Sequence, residues 1–525
     1  MALEDIPVAG ITILAVALGS VLWKYTGNQR PPLPPGPKGW PLLGNALEIP
    51  KDYPEHQFAK WGEEYGDIMS ISALGTPMII LNSSRAAIAL LEQKHLITSD
   101  RPIMPFGGEL CGWDEHVPFL QYDQPWKDLR KVIHQGIGTI RSMEREGYAR
   151  QAEQGSTRFL LRLLDREGNG DIGNIIRKSF GGFVLKMSFG YEIQEDGEDH
   201  FIKIQETLVD QINEFSVPGA FLVDIFPWLR YVPEWVPGAG FQKKAKEWRA
   251  VIHEITSEPH NYVKKQMAAG TAAPSFTAKR LSEKHLSHKE EEDVRKGIST
   301  IYGAGVDTTS GAIHTFYLVM GLYPDIQARA KAEIDSYLSK EGERLPGISD
   351  REHLPYLDAV TKEVLRWNPV GALGVPHRMH QDEIHEGYFL PKNSIIFQNL
   401  WQILHDPKTY KDPMEFNPER FLASPESPTP EEDPRHAAFG YGRRTCPGST
   451  LADAAVFVFA AMSLTVFDIS HGAAGEGLGK MSLDELKANV SFVSGIVSSP
   501  KPFDCVVKPR SAKAEALIRA VNDGQ

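Results

Sequence analysis

A mostly helical protein with a minor β-sheet, folded as one oversized domain, is what the 525 residues predict. Three observations carry this. Stretches 142–166, 242–268, 288–320 and 325–340 have helical hydrophobic periodicity and are sparse in proline. Residues 67–81, DIMSISALGTPMIIL, read as a β-hairpin. Beyond residue 41 no second linker, fixed-period repeat or like-charge tail divides the chain.

Composition narrows the function. With 42% hydrophobic residues the chain can bury a large core. Lys plus Arg number 56 against 68 Asp plus Glu, a formal charge of −12, which opposes binding to nucleic acid phosphates, so no nucleic acid partner is expected. The three cysteines, Cys111, Cys446 and Cys505, are an odd number without a CxxC pair, which excludes a disulfide framework and a zinc ribbon and suits a reducing compartment.

The chain divides into an N-terminal anchor over 1–27, a proline-rich hinge over 28–41 and a catalytic domain over 42–525. Residues 6–23, IPVAGITILAVALGSVLW, are apolar, uncharged and just long enough to span a bilayer. Trp23 and Tyr25 suit the membrane interface, Lys24 and Arg30 follow while Glu4 and Asp5 precede, and the positive-inside rule then puts the rest of the chain in the cytosol. A cleaved signal peptide is disfavoured because no basic segment precedes the apolar run. PPLPPGPKGWP at 31–41 cannot be helical and acts as a stiff spacer. The sequons at Asn82 and Asn489 would then face the cytosol and stay unmodified. Segments 268–278 and 423–434 read as surface loops. Segment 215–237 combines prolines with Phe221, Phe226, Trp228, Tyr231 and Trp235, and two readings stand at equal weight: burial in the core, or a lid that dips into the membrane interface.

The chemistry centres on FGYGRRTCPG, residues 439–448. Gly442 permits unusual backbone geometry, Arg444 offers a fork for a carboxylate, and the amides after Cys446 could donate to its sulfur while Phe439 shields it. Such an electropositive loop would keep the sulfur deprotonated, although a lone cysteine is more often a buried structural thiol. Upstream, EVLR puts Glu363 and Arg366 on one helical face, and NPERF supplies Arg420. WKDLR sets Trp126 and Arg130 four apart on one face; SDRP adds Arg101 and PHR adds His377 and Arg378. In AGVDTT, 304–309, within a proline-free helical stretch, Ala304 and Gly305 leave room, and the Thr308 hydroxyl can take the Ala304 carbonyl one turn back. GEGLG at 475–479 has Lys480 in place of a third glycine and no strand before it, so it reads as a surface turn.

FGYGRRTCPG resembles the haem-ligand signature of the cytochrome P450 family, Phe-x-x-Gly-x-Arg-x-Cys-x-Gly, at Phe439, Gly442, Arg444, Cys446 and Gly448. The likeness extends over about residues 34–510 and implies that family's fold. It implies haem b with Cys446 as axial ligand, propionates held by Trp126, Arg130, His377 and Arg444, with Arg101 a further candidate, and a structural network of Glu363, Arg366 and Arg420. Asp307 and Thr308 match the acid and alcohol of oxygen activation, Asp307 relaying protons. The implied activity is a monooxygenase on a hydrophobic small molecule and O2, at the endoplasmic reticulum membrane, with electrons from NADPH through a separate NADPH-cytochrome P450 reductase. Lys127, Lys131, Arg435 and Arg443 would form its docking face. The substrate pocket would include Phe106, Leu110, Trp113, Phe119, Ile301, Ala304, Val370, Leu373, Val375 and Ile496. DRPIMPFGGELCGW and PRSAKAEALIRA look like fungal members of secondary metabolism, which suggests a terpenoid or a polyketide. Alternatives on the same scaffold are an isomerase, dehydratase or peroxygenase without a reductase; outside catalysis, a haem sensor or carrier.

Overall fold

The structure, a computed structural model, describes residues 30–523 except 167–170, 196, 218, 284, 426 and 474–479. The expected span at 6–23, the start of the hinge and GEGLG lie outside the described residues. What is described is mainly helical with small sheets, as the sequence predicts.

The hairpin forms as expected: β1, Ile68–Ala73, runs antiparallel to β2, Thr76–Leu81. Its turn uses two left-handed residues, Leu74 at φ 51° and Gly75 at φ 84°, of which the glycine adopts that geometry without strain. His377–Arg378 (β3) and Ile395–Gln398 (β4) complete a sheet of order β1-β2-β4-β3, with β4 parallel to β2 and β3 antiparallel to β4. A bridge from Arg378 to Asp100 joins this sheet edge to the segment carrying Arg101.

The helices that build the site are α1 (Gln124–Ile137), α2 (Tyr148–Asp165), α3 (Ile172–Phe189), α4 (His200–Phe215), α5 (Gly240–Ala268), α6 (His288–Leu322), α7 (Pro355–Trp367) and α8 (Ser449–Val466). The Asp123 carboxylate caps α1 by accepting the Trp126 N–H, which fixes the start of the WKDLR turn. The helix expected over 142–166 is two helices, because Gly147 at φ 76° ends Ile140–Glu146 and opens α2. By contrast α5 continues through the buried Pro259, which the sequence reading passes over.

Helix α6 is the axis of the molecule. A capping box of Ser287 and Glu290 starts it in solvent, and from Ile298 onward most of its residues are buried as it packs against α1, α3 and α8. Among the described residues only α8 is long and apolar enough to cross a membrane, and it is a core helix with most of its surface inside the protein. Asn82 is buried and accepts a hydrogen bond from Asn399 Nδ2 at 2.9 Å, which suits an unmodified asparagine.

Segment 215–237 departs from the burial reading. Phe221 is buried, but Phe226, Trp228, Tyr231 and Trp235 are exposed, Trp235 by 83%. The segment carries two short helical turns, Leu222–Ile225 and Pro227–Tyr231. The ring of Phe221 turns inward and stacks on Phe106 at 3.5 Å.

Candidate active site

The loop 439–448 leaves the short helix Arg435–Ala438 and enters α8. Its closure is a hydrogen bond from the Cys446 N–H to the Phe439 carbonyl, 2.8 Å. Only glycine fits at 442: φ is 67°, and a Cβ there would lie 2.0 Å from the Leu91 carbonyl oxygen. The Cys446 sulfur faces a cavity and accepts the N–H groups of Gly448 and Ser449. Burial nevertheless pushes its thiol pKa up, with those amides and Arg130 opposing.

Above this loop three guanidiniums converge. Arg101 donates to the carbonyls of Pro118, Val375 and Pro376, Arg130 to that of Thr445, and Arg444 to those of Ser99, Val117 and Leu120. Among the described residues none of the three has an ion-pair partner. Burial and mutual repulsion lower the pKa of Arg101, and burial takes Arg444 down to about 10. Trp126 underlies both Arg444 and Arg130, with ring centroids 4.5 and 5.3 Å from the two guanidinium carbons. The neighbouring His377 donates from Nδ1 to the Thr98 carbonyl, 2.8 Å, and among the described residues its buried Nε2 has no partner. Arg378 is different: it pairs with Asp100 at 3.1 Å and belongs to the scaffold.

On α6 the Thr308 hydroxyl donates to the Ala304 carbonyl, 2.8 Å, the contact its spacing predicts. Asp307, buried, is held by two residues the sequence did not single out. Arg177 Nε on α3 donates to Oδ1 at 2.8 Å, and Gln205 Nε2 on α4 donates to Oδ2 at 3.1 Å and to the Gly303 carbonyl at 2.7 Å. Arg177 also reaches the half-exposed Glu206 at 3.4 Å, so a chain of polar groups runs from Asp307 to the surface.

Glu363 and Arg366, both fully buried on α7, form a bidentate pair at 2.7 and 2.8 Å, and Arg420 Nε joins Glu363 at 3.2 Å. Arg366 also donates to the carbonyls of Leu404 and Glu415, and Arg420 to Glu431 at 2.7 Å. Glu431 sits in the segment read as a plain surface loop.

A cavity of about 370 Å³ reaches Cys446, Asp307 and Thr308. Trp113, Phe119, Ile301, Ala304, Val370, Val375 and Ile496 line it as expected. Phe106, Leu110 and Leu373 do not. Phe106 turns to Phe221 and Trp248, Leu110 packs on the main core, and Leu373 packs against the sheet. Their places are taken by Leu208 and Ile212 of α4 and Ile252 and Ile255 of α5, residues on the inward faces of amphipathic helices whose periodicity marks them as apolar but not as cavity wall. Of the proposed docking residues, Lys127, Lys131 and Arg443 are exposed, whereas Arg435 is spent on Asp433 and Asp453 at 2.5 and 3.3 Å.

The family model described as Cytochrome P450 matches residues 34–478, most of the chain. The chain belongs to the cytochrome P450 family. It is 43% identical over 98% of its length to cytochrome P450 monooxygenase 208 of Postia placenta, covering 97% of that protein, and 41% identical to cytochrome P450 monooxygenase claR of Ampulloclitocybe clavipes, 98% and 94% covered. It is 37% identical to O-methylsterigmatocystin oxidoreductase of Aspergillus flavus, over 94% of this chain and 91% of the other. A cytochrome P450 is an enzyme with haem iron, and the donor set here fits that group. One sulfur is braced by two amides, as a thiolate ligand requires. The buried guanidiniums of Arg101, Arg130 and Arg444, without an ion pair among the described residues, lack the anions that a porphyrin's carboxylates would supply.

Proposed function

We propose that this cytochrome P450 is a monooxygenase in which Cys446 would ligate the iron of haem b and a hydrophobic small molecule is oxidised. The observation that carries the reading is the shared cavity: the Cys446 sulfur opens into the same space as Asp307 and Thr308. With O2 and two electrons, bound haem supplies insertion of one oxygen atom into the substrate, the other leaving as water. Arg101, Arg130, Arg444, His377 and Trp126 would hold its carboxylates, and the Glu363 network would keep the loop in place. Asp307, positioned by Arg177, which also reaches Glu206 at the surface, passes protons inward, and Thr308 holds the hydroxyl that orients the last of them over the cavity. The wall of Phe119, Ile301, Val370 and their neighbours excludes water and selects an apolar body.

The two electrons come from NADPH through a separate NADPH-cytochrome P450 reductase, which meets Lys127, Lys131 and Arg443. The span 6–23 anchors the chain in the endoplasmic reticulum membrane, the hinge 28–41 spaces the domain from it, and the exposed Phe226, Trp228, Tyr231 and Trp235 dip into the interface. The substrate is a terpenoid or a polyketide; a relative named O-methylsterigmatocystin oxidoreductase supports an oxidation of a compound of that kind. The built acid and alcohol pair favours oxygen activation over an isomerase, a dehydratase or a carrier, none of which uses it. The reduced, carbon monoxide-bound chain should show the strongly red-shifted Soret band of a thiolate haem, lost in Cys446→Ser; a histidine-like spectrum in the unchanged chain overturns the reading. NADPH consumption coupled to product with purified reductase tests the monooxygenase step.

A further inference from the structure

The helix that holds Asp307 from across the core is also a wall of the cavity. Gln205 of α4 is fully buried, and its Nε2 donates both to the Gly303 carbonyl at 2.7 Å and to Asp307 Oδ2 at 3.1 Å. The next residue, Glu206, accepts from Arg177 Nη1 at 3.4 Å, and Arg177 Nε donates to the other carboxylate oxygen, Oδ1, at 2.8 Å. Both oxygens of Asp307 are therefore referred to one turn of α4, directly through Gln205 and indirectly through Glu206. Gln205 Oε1 is buried without a partner among the described residues, so the place of the amide is decided by the two acceptors on α6.

The same helix carries side chains of the cavity wall. Leu208, one turn after Gln205, and Ile212, one turn further, line the space that Asp307 and Thr308 share. Leu208 also lies over the residue to which Gln205 bonds: its Cδ2 is 3.5 Å from where a Cβ on Gly303 would stand. At its far end α4 is tied to another part of the wall, since Asn213 Oδ1 accepts the Ile496 N–H at 3.3 Å and Ile496 lines the cavity too. Hydrogen bonds weaken steeply with distance and angle, so a small shift of α4 against α6 changes the Gln205 contacts directly.

We infer that Gln205 is a positioning residue that couples the substrate wall to the acid: what presses on Leu208 and Ile212 sets where the Asp307 carboxylate stands. This rests on the monooxygenase reading, in which Asp307 delivers protons, and it makes that delivery depend on how far the bound molecule fills the cavity toward α4.

Infrared spectra of the full, haem-loaded chain test this, the carboxyl band of Asp307 being the one missing from Asp307→Asn. Leu208→Ala, which removes the methyls over Gly303, should shift that band. Gln205→Met, which keeps the side-chain length and removes the donor, should shift it as well, and adding Leu208→Ala to Gln205→Met should move it no further. If Leu208→Ala leaves the band in place, or moves it by the same amount when Gln205 is already Met, the coupling is overturned. Should Gln205→Met not fold, the band of Leu208→Ala alone decides. The spectra need no turnover, so the two levels separate: a wrong Soret band of the reduced, carbon monoxide-bound chain sinks the haem reading, whereas a correct Soret band without the infrared shift sinks only the coupling.

Discussion

Thr308 and Asp307 are neighbours in the chain but differ in surroundings, and single substitutions should separate them. The Thr308 hydroxyl points along the helix to the Ala304 carbonyl. Thr308→Ala should keep haem and substrate binding while diverting NADPH electrons to hydrogen peroxide; coupling equal to that of the unchanged chain would remove its role. Asp307 is tied to Arg177 and Gln205, so Asp307→Asn should lower turnover by about a hundredfold with a larger solvent isotope effect, the size of a lost proton-transfer group. Arg177 acts through Asp307 and is a positioning residue; Arg177→Gln should shift the pH profile of turnover rather than substrate affinity.

At the scale of elements, α7 and the loop around Arg420 meet through one buried carboxylate. Glu363→Ala leaves the Arg366 guanidinium buried without its anion and Arg420 with Glu431 alone, a loss of about 3–5 kcal/mol, and should yield protein without the thiolate Soret band. Glu431→Gln should cost less, because its side chain is 22% exposed and water can replace it. Segment 215–237 is the other element that makes a prediction. Brominated lipid should quench the fluorescence of Trp228 and Trp235 in vesicles, so the double Phe variant of the full chain should show less quenching; equal quenching would place the segment in water.

For the whole molecule, the acid limb of stability follows from histidines buried neutral. Burial lowers the pKa of His116 and His314 to about 4 and of His405 to about 3, against an ordinary value of 6.5. Between those values the unfolded chain binds more protons than the folded one, so stability is full above pH 6.5 and falls as pH drops toward 4. Thermal unfolding should show Tm decreasing across that window, and His314→Phe, whose ring stacks on Phe503 at 5.0 Å, should flatten the decrease. A flat Tm from pH 7 to 4.5 would contradict the buried neutral state.

Much of this site could be read from the chain because its chemistry is local. A sulfur braced by the next amides needs Cys446, Pro447 and Gly448 in succession, a turn against Leu91 needs Gly442, and Thr308 finds the Ala304 carbonyl through helical spacing. The hairpin and α6 were legible for the same reason: period and turn residues are properties of adjacent positions. Arg177, Gln205 and Glu431 were not legible, since each reaches its partner across more than one element and no spacing encodes that approach. The choice among Phe106, Leu110, Trp113 and Phe119 was likewise settled by folding: all are apolar in a row, and Phe106 leaves the cavity because Phe221 comes back to cover it. Local order specifies which groups can ligate a metal or turn a chain; long-range packing specifies which side chains face the space above it, because burial depends on what arrives from elsewhere.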